Sequence, residues 1–235
     1  MKITYWSDYA CPYCYIAEQR LKRVIRDLGA EDKIELEMKS FQLDPSAKNE
    51  YVGSTVVRFA RKYGLPMELA EKQIEQISQL GRDEGIDFHY AETRFTNTMD
   101  AHRLTKYVQM NKGHRFAEKV IESLFDAYFT KNLELSNKEV LKACGIESGL
   151  AEDEIDSVLN SDDYTDEVIL DEREAMRYGI SAVPFFIVGN AFTMPGAQPY
   201  DMMKKALKKA LDEEATEIKS TGKGISCGPD GCRIR

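Results

Sequence analysis

Ile3-Thr4-Tyr5-Trp6-Ser7-Asp8-Tyr9-Ala10-Cys11-Pro12-Tyr13-Cys14-Tyr15 is the stretch that decides the fold. Ile3, Tyr5 and Trp6 form a short β-prone run that stops at Ser7-Asp8. From Pro12 onward, Ala17, Leu21, Val24 and Leu28 recur at the spacing of one apolar helix face. Gly29 is placed to end that helix in the left-handed C′ position. Ile34 to Phe41 then alternates apolar and charged residues, the period of a half-buried strand. Strand, CxxC, helix and strand make the first half of a small α/β unit. Cysteines at a strand-to-helix junction face free backbone N–H groups and the positive end of the helix dipole, which favour thiolate. Pro12 suits the first helical turn, where its missing N–H costs nothing. Cys11 is therefore expected to be the attacking thiolate, and Cys14, one turn behind, the thiol that resolves a mixed disulfide. A zinc half-site is the competing reading, but no second CxxC or His pair stands at zinc-finger spacing.

Outward from this unit the pattern changes. From about Ser54 to Arg177 nearly every segment has helical period, punctuated by Gly64-Leu65-Pro66, Asn111-Lys112-Gly113 and Ser136-Asn137. Ser136 and Glu139 have the spacing of a capping box. Val183-Pro184-Phe185-Phe186-Ile187-Val188 then reads as a loop and a proline heading an apolar strand. Gly189-Asn190 reads as a hairpin turn, and Ala191 to Met194 as a second strand. Pro199 to about Leu211 is a last helix, followed by a polar tail. Pro184 removes an N–H beside the strand leading to Cys11, so an extended peptide or glutathione could pair with the backbone of Val183.

With 235 residues, a net charge of −8 and 43% hydrophobic residues, the chain is a soluble globular one with a sizeable core. Its acidity argues against a phosphate-backbone ligand, which needs clustered Lys and Arg. Between Glu147 and Glu174 twelve acidic residues stand against Arg173 alone, the pattern of a solvated helical face. No apolar run approaches the roughly 18 residues of a membrane span. The chain starts Met1-Lys2-Ile3 and reaches its first cysteine pair at once, so no secretory leader is expected. A cytosolic location follows as the expectation. There thiols are kept reduced, and close cysteine pairs are catalytic or metal-binding rather than structural staples.

Tyr5 to Tyr15, taken with Gly179-Ile180-Ser181-Ala182-Val183-Pro184-Phe185-Phe186, resembles the DsbA-type thioredoxin-fold oxidoreductases, and within them the FrnE-like branch. The resemblance spans essentially residues 1–212. It implies an α/β thioredoxin fold interrupted by an all-helical domain. The division would be 1–48 plus 176–212 for the thioredoxin part, 49–175 for the insertion and 213–235 for a tail. It also implies that Val183-Pro184 is a cis-proline loop opposite the dithiol, and that Pro12-Tyr13 tunes its potential. Asn97 to Leu104 resembles a segment of this branch whose Asn and His, here Asn97 and His102, lie near the active-site cleft. Kappa-class glutathione transferases and 2-hydroxychromene-2-carboxylate isomerases share the layout but carry serine where Cys11 stands, and they lack the second cysteine.

Cys227-Gly228-Pro229-Asp230-Gly231-Cys232 departs from the general DsbA pattern. Its turn residues bring two cysteines within reach of a local disulfide. Residues 212–226 read as a polar tether long enough to deliver them to Cys11, as a redox relay. A metal site of four thiolates is the other use of the same geometry. Cys144, in an apolar helical stripe, reads as an inert core residue. The sequence thus points to a cytosolic thiol–disulfide oxidoreductase, with neither metal nor organic cofactor. It would act on protein or small-molecule disulfides, and glutathione stays open as a co-substrate. A glutathione-dependent transferase or isomerase, and a thiolate metal-binding or redox-sensing module, are the alternatives.

Overall fold

The computed structural model describes residues 1–189, 192–221, 226–228 and 231–233, with side chains described as far as residue 216. β1 (Lys2–Ser7), α1 (Pro12–Asp27) and β2 (Glu35–Ser40) form the β-α-β unit expected from the opening stretch. Gly29, at φ 57°, turns the chain after α1. Seven helices follow: α2 (Thr55–Tyr63), α3 (Met67–Asp83), α4 (Met99–Lys112), α5 (His114–Phe129), α6 (Lys138–Ser148), α7 (Glu152–Leu159) and α8 (Thr165–Arg177). The chain then returns as β3 (Phe185–Val188), β4 (Phe192–Pro195) and α9 (Tyr200–Thr221), and ends in the short strands β5 (Ser226–Gly228) and β6 (Gly231–Arg233).

The main sheet has the order β2-β1-β3-β4, with β1 parallel to β2 and antiparallel to β3. This is the thioredoxin arrangement, and it makes β1 a central strand. The two-residue period of β1 then sends its side chains to two different layers. Ile3 and Tyr5 enter the large core, where Tyr5 stacks on Phe186 at 5.5 Å between ring centres. Trp6 enters a smaller cluster with Ala175 and Ile180, and its indole N–H donates to the Asp171 carbonyl at 3.0 Å. Each large side chain so buried contributes about 1.5–3 kcal/mol.

The large core continues without a break from the sheet into the helices. Leu36 and Met38 of β2 share it with Leu104 and Val108 of α4 and Leu124 and Phe125 of α5. Gly113, at φ 87°, lets α5 start two residues after α4 ends. The division expected between residues 175 and 176 falls inside α8, which packs on β2.

Three local expectations differ from what is observed. The Ser136–Glu139 capping box does not form. Asn137 caps α6 by accepting from the Glu139 N–H at 3.0 Å, and the Ser136 hydroxyl donates to the Asn49 carbonyl at 2.5 Å. The final helix does not stop near Leu211 but runs to Thr221, so most of the expected tether is helical. The acidic run is not wholly solvated, because Asp171 is buried. The expected turn at Asn190 lies outside the described residues.

Candidate active site

Asp8 organises the turn between β1 and α1. Its carbonyl accepts the Cys11 N–H at 3.0 Å, and its carboxylate accepts the Ala10 N–H at 3.3 Å. This short side-chain-to-backbone turn is a habit of Asp after a strand, and here it delivers Cys11 to the N-cap of α1 with Pro12 in the first turn. The Cys14 N–H donates back to the Cys11 carbonyl at 3.1 Å.

Both cysteines are free thiols and nearly inaccessible, Cys11 at 4% and Cys14 at 1%. The two differ little in exposure but clearly in position. Cys11, Pro12 and Tyr13 line a cleft of about 480 Å³, and Cys14 does not. The Cys11 thiol donates to the Val183 carbonyl at 3.7 Å, and the Val183-Pro184 peptide bond is cis. The Gly196 N–H, donating to the Pro184 carbonyl at 2.7 Å, fixes that loop to the end of β4. Burial, and then the adjacent Cys11 sulfur, push the Cys14 thiol well above the usual thiol range.

Asn97 and His102 do not line the cleft. Asn97 donates to the Pro45 and Ala47 carbonyls at 3.2 and 3.1 Å and accepts the Met99 N–H at 2.8 Å, pinning the loop after β2. His102 is wholly buried behind the active-site turn, with Nε2 3.3 Å from the Asp8 carboxylate. Its ring packs on Tyr9 at 5.0 Å. The Asn97 amide is held by the loop it pins, whereas the buried Nδ1 of His102 has no hydrogen-bond partner among the described residues. In the tail, the β5–β6 register sets Cys227 directly opposite Cys232; the side chains of that pair lie outside the described residues. Cys144 is buried, and its thiol donates to the Ser123 carbonyl at 3.7 Å.

Two groups of residues were not singled out by the sequence. Asp8 is one: besides the turn, its carboxylate accepts the Leu43 N–H at 2.7 Å and the Thr98 hydroxyl at 2.9 Å. A carboxylate closing an apolar strand three residues before a cysteine was the available signal. The other is the face of α2 that walls the cleft with Arg58, Arg61 and Lys62. Their spacing marks one helix side, but which side meets Cys11 is a tertiary fact.

None of the described helices is long and apolar enough to cross a membrane. The structure is similar to that of the "probable DsbA oxidoreductase" SCO1869 from Streptomyces coelicolor, with a TM-score of 0.83 and 28% identity over 100% of this chain and 99% of the other. A 2-hydroxychromene-2-carboxylate isomerase shares the fold, with a TM-score of 0.69 and 16% identity over 92% of this chain and 98% of the other. So does the cytosolic disulfide reductase DsbM of Pseudomonas aeruginosa, solved with GSH, with a TM-score of 0.60 and 16% identity over 90% of this chain and 100% of the other. A family model for the DsbA-like thioredoxin domain matches residues 2–208, and the chain belongs to that family.

Proposed function

We propose that the protein is a cytosolic thiol–disulfide oxidoreductase in which Cys11 and Cys14 exchange disulfides with a protein, peptide or small-molecule substrate. The observation that carries this reading is the split between the two sulfurs. Cys11 lies on the wall of the cleft beside Val183, and Cys14 is buried one turn behind it. In the reducing direction, the Cys11 thiolate attacks one sulfur of a substrate disulfide. An S–S bond forms between Cys11 and that sulfur, and the other substrate sulfur leaves as thiolate and takes up a proton. Cys14 then loses its proton and attacks the Cys11 sulfur. The second substrate thiol is released, and the protein holds a Cys11–Cys14 disulfide. Two electrons pass from the protein dithiol to the substrate, and the reverse sequence oxidises a substrate dithiol. A high Cys14 pKa suits a thiol that stays protonated until the mixed disulfide is in place.

Glutathione is a candidate co-substrate for regenerating the dithiol, a reading in keeping with the fold likeness to DsbM solved with GSH. The Cys227/Cys232 pair is a candidate relay, since opposed positions on antiparallel strands favour a local disulfide.

The test is a Cys14→Ser protein challenged with insulin and with glutathione disulfide. A trapped mixed disulfide on Cys11, with catalytic turnover lost, is the expected result. Mass mapping of the same sample detects a Cys11 link to Cys227 or Cys232 if the relay operates. Full glutathione-conjugating or isomerase activity in Cys14→Ser would defeat the dithiol reading, as would stoichiometric zinc and no titratable thiol in the native protein.

A further inference from the structure

The cleft beside Cys11 differs in charge from the rest of the molecule. The chain as a whole carries −8, yet the cleft wall holds Arg58, Arg61 and Lys62 against Asp44 as its one acid. The three cations stand at i, i+3 and i+4 on α2, so a single face of that helix is turned toward the dithiol. Arg20, Arg23, Arg82, Arg94, Arg103 and Arg115 each hold a carboxylate, whereas Arg26, Arg173 and Arg177, away from the cleft, hold none among the described residues. Among the described residues, no carboxylate lies within ion-pair distance of Arg58, Arg61 or Lys62.

Arg58 is the most constrained of the three. Its guanidinium lies over the Phe95 ring at 3.7 Å from the ring centre. Stacking on a ring face leaves the in-plane N–H donors open. Its Nε is buried and has no hydrogen-bond partner. A partly desolvated guanidinium with free donors and no counter-charge is unfavourable by itself, and a bound carboxylate relieves that cost with charge-assisted hydrogen bonds. Arg61 and Lys62, exposed on the same wall, extend the positive field to the mouth of the cleft.

We infer that Arg58, Arg61 and Lys62 form a carboxylate-binding wall, and that the substrate is a disulfide flanked by carboxylates. This rests on the dithiol reading above and adds the substrate class. Two sources offer that chemistry: glutathione disulfide, or a polypeptide with Asp or Glu beside its cysteines. An anionic substrate is both steered to the cleft and held there beside Cys11.

The experiment follows oxidation of the reduced protein by two aromatic disulfides of similar size. One is the bis-carboxylate 5,5′-dithiobis(2-nitrobenzoate), the other the uncharged 4,4′-dithiodipyridine. The quantity read is the ratio of their second-order rate constants, because a general effect of the cations on Cys11 acts on both probes. Arg61→Gln/Lys62→Gln alters only exposed side chains, and Arg58→Gln is tested separately. The ratio is expected to fall about tenfold in the double variant, and to fall in the parent as salt rises. A ratio within twofold of the parent in every variant overturns the carboxylate wall while leaving the dithiol reading standing. No reaction of the parent with either probe overturns both. Glutathione disulfide, and a disulfide-linked peptide pair carrying Glu or Gln beside cysteine, then identify the source. The wall is supported by whichever anionic substrate loses rate in the variants.

Discussion

His102 and Asp8 are separated by 94 positions in the chain and meet at 3.3 Å behind the active-site turn, both buried. The same carboxylate holds Thr98, Leu43 and Ala10. One side chain thus joins the dithiol turn, the loop after β2 and the first turn of α4. The position of Cys11 is in this way tied to the helical insertion by a single acceptor with four donors.

Removing that acceptor is expected to be costly. Asp8→Ala leaves the Ala10 and Leu43 N–H groups, the Thr98 hydroxyl and His102 without their partner in a buried place. A loss of about 3–5 kcal/mol is expected. Asp8→Asn keeps the shape but turns one acceptor into a donor facing other donors, for a loss of about 1–3 kcal/mol. Urea unfolding of both variants gives these values. A loss below about 0.5 kcal/mol in Asp8→Ala would show that water replaces the carboxylate without penalty.

The reduced protein is expected to lose stability at alkaline pH through Cys14. Burial and the nearby Cys11 sulfur raise this thiol well above its usual range, whereas in the unfolded chain it ionises near about 8.5. Below that pH both states keep the proton and the full stabilisation is present. Above it the unfolded chain gives up a proton that the folded protein retains, so stability falls until the folded thiol also ionises. The limiting slope for one proton is about 1.4 kcal/mol per pH unit. Comparing reduced parent with reduced Cys14→Ser between pH 7 and pH 10 isolates this contribution. Equal slopes in the two proteins would contradict it.

Features that depend on neighbouring residues were readable in advance; those that depend on distant ones were not. Strand, CxxC and helix follow from the local periods around Cys11, and the pairing of β1 with the strand after Pro184 follows from the order of the elements. The last helix outran its apolar stripe because Asp212 to Thr221 includes Glu, Ala and Lys, which sustain a helix by propensity without burying a face. Ser136 was a plausible cap by spacing, but its hydroxyl is taken by a carbonyl 87 residues away. The same holds at the site. Nothing near Asp8 in the sequence announces Leu43, Thr98 or His102 as its donors. Similarly, the spacing of Arg58, Arg61 and Lys62 says that they share a face, not that the face looks at Cys11.

Gly81→Ala in α3 is expected to destabilise, against the propensity gain of about 1 kcal/mol that alanine brings to a helix interior. A Cβ at this position would stand 2.5 Å from Cγ of Phe88. Phe88 is fully buried and stacks on Phe129 at 4.7 Å between ring centres, so it has no free space to retreat into. Overpacking of this kind costs about 1–3 kcal/mol, enough to cancel or exceed the gain. The check is thermal unfolding of Gly81→Ala beside Gly81→Ala/Phe88→Leu. A lower Tm in the first and partial recovery in the second are expected, and a higher Tm in the single variant would refute the steric account.

Buried charges dock α8 on the sheet. Asp171 accepts the Ser40 N–H at 2.8 Å, lies 3.2 Å from the Lys39 ammonium and forms a close ion pair with Lys106 of α4. Lys106 is itself buried, and desolvation pulls its ammonium below the ordinary lysine range even with Asp171 beside it. Asp171→Ala therefore strands a buried cation and a backbone N–H together, for an expected loss of about 3–5 kcal/mol. Lys106→Met alone has a smaller effect, because Asp171 keeps Ser40 and Lys39. If the cost of Asp171→Ala comes from the stranded ammonium, then adding Lys106→Met to it restores a large part of the stability, as replacement of buried ion pairs by apolar groups does. Urea unfolding of the two single variants and the double closes the cycle. A double variant no more stable than Asp171→Ala would place the cost in the backbone contact to Ser40 instead.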